Sequence, residues 1–159
     1  MYLKVINQNR NVLLYLLGAG ISSLGNVISG LAFLFLAYQM TESSIHTTGV
    51  AISQVVPYLL FGLIGGVIAD WVDKKRLLVI IDLIRVPLIL SLVLFHQLEM
   101  LSYWHLIVVS FLIQCLGCFY NPAHRAILPV ITTEEERSSV NSLFDTVTRG
   151  ITVLGPIVS

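Results

Sequence analysis

The chain has 159 residues, of which 56% are hydrophobic and only 11% are charged. A typical soluble domain carries about 25% charged residues, so this composition argues strongly against a soluble globular domain and excludes a disordered chain. Nine Lys and Arg balance nine Asp and Glu, and without an excess of positive charge we expect no binding to nucleic acid. The class that remains is a protein that crosses the lipid bilayer several times.

Stretches with few charges divide the chain into predicted membrane helices. A bilayer core about 30 Å thick needs roughly 20 mostly apolar residues in a helix. The predicted fold class is therefore an all-α transmembrane bundle with four helices and part of a fifth, which together form one incomplete domain over residues 1–159. The first stretch is too long for the core of a cleavable signal peptide, and we expect the chain to end inside a membrane helix. The predicted spans are 12–39, 48–69, 77–95, 103–120 and 140–159.

Lys and Arg residues lie in alternate connections between these spans. The connections 41–47 and 96–102 contain neither residue type. Because basic residues collect on the cytoplasmic side of a membrane, the pattern predicts a multi-pass protein of the cell membrane with its N-terminus in the cytoplasm. The basic residues of the predicted cytoplasmic segments are Lys4, Arg10, Lys74, Lys75, Arg76, Arg125 and Arg137.

Amide side chains inside the spans are candidates for a substrate pathway or cavity, since a polar group avoids lipid. These residues are Asn26, Gln54 and Gln114. An alternative for Asn26 is helix packing, because it shares one helix face with small residues at four-residue spacing. Small residues also repeat in the second span, where Pro57 predicts a kink and Gly62 and Gly66 form a G-x-x-x-G pair that predicts close packing. The small residues of the first span are Gly18, Ser22 and Gly30.

Two pairs of opposite charges lie within the third and fifth spans. Asp82 and Arg85 are three residues apart, and Asp145 and Arg149 are four apart, so each pair can meet on one helix face. For Asp82 and Arg85 two interpretations remain open: a self-satisfied ion pair near the membrane boundary, or a pair that rearranges with conformation.

No pattern in the chain indicates an enzyme. We find no nucleophile beside a base, no phosphate-binding loop and no metal-ligand cluster, so we expect no catalytic residue, no metal and no cofactor. Cys115 and Cys118 lie within an apolar span, where packing is favoured over metal or redox chemistry. Thr133 and Glu136 have the spacing of a capping box, which predicts a helix start ahead of the fifth span.

The segment from Gly65 to Arg76 closes the second span and opens the third. It resembles the signature of the major facilitator superfamily of transporters, and Gly66, Ala69, Asp70, Lys74 and Lys75 match that pattern. Trp71 stands where a basic residue is usual. Asp73 replaces a usual glycine, which is similar to a drug- and siderophore-efflux branch. The stretches 119–129 and 140–143, and the pair Gly155-Pro156, are similar to the same branch.

The resemblance implies a bundle of twelve helices in two halves, with substrate bound near the membrane midplane between them. Gly66, Ala69, Asp70, Asp73, Lys74, Lys75 and Arg76 would form a cytoplasmic latch, with helices of the second half as its intramolecular partner. Gly155 and Pro156 would bend the fifth helix. A cytoplasmic charge network would include Asp82, Arg85, Arg125, Asp145 and Arg149.

The function implied by the resemblance is secondary active efflux of a small drug-like or siderophore-like molecule. Alternating access, driven by a proton gradient, would move the substrate across the lipid bilayer. The alternatives are an uptake symporter and a small four-helix membrane scaffold. We expect the 159-residue chain alone not to transport.

Overall fold

A computed structural model describes residues 10–158, apart from the side chains of residue 69 and residues 154–158. Its helices confirm the all-α prediction, and the described range contains no strand. Short connections join consecutive helices, the longest being residues 98–102. The helices are α1 (Arg10–Thr41), α2 (Ser44–Trp71), α3 (Lys74–Gln97), α4 (Tyr103–Ile131) and α5 (Glu134–Val158).

Four of these helices are long and apolar enough to cross a membrane. The qualifying segments are Arg10–Thr41, Ser44–Ile68, Lys74–Gln97 and Tyr103–Ile131. The fifth helix does not qualify, because it carries three acidic residues in its first turn and further charges along its length. The structure therefore supports four membrane helices, while the exact limits of each span stay predictions.

Capping side chains fix where two of the helices begin. Asp73 precedes α3, and its carboxylate accepts a hydrogen bond from the Arg76 backbone N–H at 3.1 Å. Before α5, the Thr133 N–H donates to Glu136 Oε2 at 3.3 Å, and the Glu136 N–H donates to Thr133 Oγ1 at 3.4 Å. This reciprocal arrangement confirms the predicted capping box, which satisfies donors that a helix start leaves free.

The chain divides into two compact units. The first contains the chain before Ala32 and after Ala126, and the second is Ala32–Ala126. Each unit has an apolar core of its own. The core of the first is Val12, Leu16, Ala19, Leu128, Val140 and Phe144. The core of the second is Phe33, Ala37, Val50, Leu92, Leu106, Val109 and Ile113.

Helix α1 packs within the first unit through apolar residues and Gly20. A side chain at Gly20 would lie 3.4 Å from Val147 and 3.8 Å from Ile151 of α5, whereas a side chain at Gly18 would meet no atom within 4 Å. The packing interpretation of the face that begins at Gly18 is therefore wrong at that residue. Larger side chains on the adjacent face offer more apolar area to bury. Asn26 is exposed.

In the second unit, α2 and α4 approach each other along a row of small residues. Gly65 lies so close to α4 that a Cβ there would overlap the backbone carbonyl of Cys118, and a Cβ at Gly49 would overlap the Tyr103 hydroxyl. Between these contacts, the buried Ser53 Oγ donates to Ser110 Oγ at 3.4 Å. Small residues let membrane helices approach closely, and here they hold α2 against α4.

Within the described part of the chain, the G-x-x-x-G pair does not make the predicted close helix contact. Side chains added at Gly62 or Gly66 would meet no atom within 4 Å. The contact falls on Gly65 instead, because only that glycine turns its Cα toward α4.

Replacing Gly65 by alanine should destabilise the second unit. The new methyl group would overlap backbone rather than a flexible side chain, and overpacking of this kind costs about 1–3 kcal/mol. We expect a clear fall in the melting temperature of the detergent-solubilised protein, measured by tryptophan fluorescence. The matched control is Gly62→Ala on the same helix, which adds the same methyl group in open space. Equal melting temperatures for the two variants would contradict the α2–α4 contact.

Candidate functional site

The loop that carries the signature motif joins α2 to α3 with a tight turn at Val72 and Asp73. Asp73 caps α3 and also lies 3.9 Å from the Arg76 guanidinium, Oδ2 to Nε. Both side chains are exposed, and exposed ion pairs contribute little free energy, so the hydrogen bond to the backbone is the stronger contribution. Asp73 therefore starts α3 in the position where a glycine is usual.

The remaining motif residues surround this turn. Asp70 and Lys75 are exposed and Lys74 is half-buried. Gly66 faces open space, and the Ala69 side chain lies outside the described part of the chain. Two ion pairs between described residues are Arg76–Asp73 and Arg149–Asp145. Neither includes Asp70, so its carboxylate is available to a group beyond this turn.

Arg85 lies far from both ends of α3, a helix long and apolar enough to cross a membrane. It follows Lys74, the first residue of the 24-residue helix α3, by eleven positions, which is about 16 Å along a helix that rises about 1.5 Å per residue. Its guanidinium carbon is 4.9 Å from the centroid of the Tyr120 ring on α4. Arg85 therefore sits near the middle of α3 and extends toward α4.

The structure does not bring the Arg85 guanidinium within ion-pair distance of the Asp82 carboxylate, so their pairing stays a prediction. Both residues are described, and the two ion pairs named above include neither. The guanidinium instead lies over the electron-rich face of Tyr120, which attracts a cation, while the Asp82 side chain is exposed. The spacing of the two residues allows a pair, but the neighbouring helix decides where the guanidinium goes.

Polar side chains from three helices meet near Gly117. Asn121 Nδ2 of α4 donates a hydrogen bond to Tyr58 Oη of α2 at 3.1 Å. A Cβ at Gly117 would lie 2.8 Å from Tyr58 Oη and 3.5 Å from Arg85 Nη2. The glycine therefore leaves room for both polar ends. We call Tyr58, Arg85, Tyr120 and Asn121, grouped around Gly117, the polar cluster.

The polar cluster only partly offsets the cost of its charge. Inserting an arginine at the centre of a membrane helix costs roughly 2.5–3.5 kcal/mol on insertion scales, and a cation–π contact returns roughly 0.5–2 kcal/mol. His124 stacks on the Tyr120 ring that contacts the Arg85 guanidinium, with the two ring centroids 5.6 Å apart. A charge kept at this depth against a net cost is typical of a functional site.

Sequence reasoning identified only Arg85 of the polar cluster. Tyr58 and Gly117 look like ordinary membrane packing residues, and the stretch 119–129 includes Tyr120 and Asn121 without assigning either a role. The available signal was Arg85 itself, because a cation in a membrane helix requires polar or aromatic neighbours. Which residues supply them depends on how α2, α3 and α4 pack.

The other predicted amides are not part of the polar cluster. Gln54 of α2 and Gln114 of α4 are half-buried in the second unit. The Gln114 backbone carbonyl accepts a hydrogen bond from Cys118 Sγ at 3.3 Å, so the Cys118 thiol bonds within its own helix. Asn26 belongs to the first unit.

The predicted charge network is distributed over both units. Arg149 Nη2 lies 4.0 Å from Asp145 Oδ2 one turn earlier on α5, which confirms that predicted pair. These two side chains line an open groove along α5 with Ser142 and Thr146. Arg125 is exposed on α4 in the second unit. Helix α5 continues through residues 155 and 156, whose side chains lie outside the description, so the bend predicted at Gly155 and Pro156 stays a prediction.

Comparison with known proteins identifies the family. Residues 10–158 match the family described as transmembrane secretion effector. The chain is 27% identical over 121 residues to macrolide efflux protein A of Streptococcus pyogenes, which covers 75% of this chain and 29% of that protein. It is 28% identical over 147 residues to the uncharacterized MFS-type transporter YfiS of Bacillus subtilis, which covers 89% of this chain and 34% of that protein. No solved structure matches the chain.

These matches agree with the signature loop and the four apolar helices. The chain spans 29% of the length of the efflux protein, so it corresponds to a part of such a transporter. Because the family match extends over nearly all of the described helices, the chain belongs to the transmembrane secretion effector family of the major facilitator superfamily.

Proposed function

We propose that the protein containing this chain exports a small drug-like or siderophore-like molecule across the cell membrane. Alternating access would perform the export, and a proton gradient would drive it. The observation that carries the proposal is the charged pair of residues, Asp82 and Arg85, inside a membrane helix of a transporter family. The efflux relative supports the direction of transport.

Asp82 is the residue we assign to proton coupling. Among the acidic residues in the described parts of helices α1–α4, Asp82 is the one that lies more than two turns from both ends of its helix. A carboxylate inside a membrane can exchange a proton as its surroundings change. Arg85, one turn away, would favour the charged, deprotonated form of Asp82 when the two side chains approach. When they separate, that stabilisation would be lost and Asp82 would take up a proton more readily.

The signature loop supports the conformational half of the proposal. Asp70 is exposed, and none of the ion pairs in the described range includes it. In the proposed transporter Asp70 would bind a helix terminus or cation of the second half on the cytoplasmic side and release it as the two halves rock. The three cations after Asp73 support a cytoplasmic position for this loop and, with it, for the N-terminus.

Asp82→Asn should uncouple transport from the proton gradient. The amide cannot release a proton, so we expect at least a tenfold loss of gradient-driven erythromycin accumulation in inverted vesicles, with downhill exchange retained. Glu135→Gln, an exposed carboxylate in the first turn of α5, is the matched control. Accumulation equal to that of the unmodified protein would rule out the role of Asp82. Movement in the opposite direction under the same gradient would favour the uptake symporter.

Asp70→Asn should slow transport without destabilising the protein. The exposed carboxylate makes no ion pair with a described residue, so we expect an unchanged melting temperature and at least a fivefold lower rate of downhill exchange. Glu42→Gln, an exposed acid in the α1–α2 connection, controls for loss of a surface charge. A normal exchange rate in Asp70→Asn would contradict the latch.

A further inference from the structure

We propose that the polar cluster is a binding site for an oxyanion, the carboxylate or phosphate group of an amphiphilic molecule. Arg85 and Tyr58 would be the two groups that contact it. The proposal deepens the proposed function, since it gives the chemistry of a ligand in the membrane part of the transporter. Binding can be measured without a proton gradient, so the two proposals can fail separately.

The first argument is that Arg85 has donors without acceptors. A guanidinium presents five N–H groups. Arg85 Nε is buried and has no hydrogen-bond partner within the described part of the chain, and neither of the ion pairs found there includes this residue. Tyr120 offers the cation a ring face, but a ring face does not replace conventional acceptors. The site therefore contains a positive charge that an anion would stabilise.

The second argument is that two donors converge on one small region. Tyr58 Oη and Arg85 Nη2 both lie within 3.5 Å of the point where a Cβ on Gly117 would be. The Tyr58 oxygen accepts from Asn121 Nδ2, so its own O–H hydrogen is left to donate. One oxyanion could then receive hydrogen bonds from the phenol and the guanidinium together.

The third argument concerns selectivity. The groups that converge here are donors, and the acidic residue closest along the chain, Asp82, forms no ion pair with Arg85. An apolar ligand would leave the donors unsatisfied. A carboxylate or phosphate fits the planar fork of an arginine through two parallel hydrogen bonds.

The site is also accessible. Tyr58 is 41% exposed, and Asn121 is exposed. Because the cluster lies near the middle of α3 and its neighbours are apolar helices, a ligand that reaches it needs an apolar body. An amphiphile with a single acidic head group meets both requirements.

The test compares dodecanoate with its uncharged methyl ester. Both are titrated into the full-length transporter containing this chain, purified in a neutral detergent, and binding is followed by intrinsic fluorescence. We expect dodecanoate to bind at least tenfold more tightly than the ester. Arg85→Gln should abolish that difference, Arg85→Lys should keep part of it, and Tyr58→Phe should weaken dodecanoate binding at least threefold.

Matched variants control for charge and hydroxyl loss elsewhere. Arg137→Gln removes an exposed cation of α5, and Tyr38→Phe removes an exposed hydroxyl of α1; both should bind dodecanoate like the unmodified protein. Melting temperatures identify any variant that fails to fold. If Arg85→Gln fails to fold, Tyr58→Phe, which removes only one atom, decides the outcome.

Two further arms identify the source of the oxyanion. Dodecyl phosphate tests a soluble phosphate amphiphile, and native mass spectrometry in phosphatidylglycerol or phosphatidylcholine tests a lipid head group. Loss of bound phosphatidylglycerol in Arg85→Gln would identify a lipid. Equal affinity for acid and ester, or dodecanoate binding that Arg85→Gln and Tyr58→Phe leave unchanged, would overturn the proposal.

Discussion

The close approach of α2 and α4 is the contact on which the arrangement of the second unit depends. At Gly65 the two backbones are so near that even a methyl group would overlap the Cys118 carbonyl. In lipid there is no hydrophobic drive between apolar helices, so packing and interhelical hydrogen bonds must hold them together. Because α2 lies against α4 in this register, Tyr58 reaches both Gly117 and Asn121.

This packing also decides the surroundings of the intramembrane charge. Arg85 is directed from α3 onto the Tyr120 ring of α4, and its buried Nε has no hydrogen-bond partner within the described part of the chain. In a medium of low dielectric constant an unpaired charge is costly, and the same property strengthens its attraction for any anion that arrives. A membrane transporter can use this combination, since a ligand or a shifted carboxylate could each neutralise the cation in turn.

Local features could be predicted because each depends on residues within one or two turns. The all-α class follows from the long apolar stretches. The capping box at Thr133 and Glu136 and the pair of Asp145 and Arg149 follow from helical spacing. The signature from Gly66 to Lys75 predicted the transporter superfamily, and the family match confirms that prediction. Helical spacing alone did not reveal the surroundings of Arg85, because a neighbouring helix places the Tyr120 ring against its guanidinium.

By itself the sequence determined that the chain crosses a membrane, which transporter family it belongs to, and where its fifth helix is capped. These properties depend on composition, motif and short-range geometry, all of which can be read along one helix. Only the tertiary structure decided that Gly65 rather than Gly62 or Gly66 makes the helix contact, and that Tyr58, Arg85, Tyr120 and Asn121 meet. The rotation of each helix about its axis sets those contacts, and many rotations satisfy an apolar sequence, because lipid and protein interior are equally apolar.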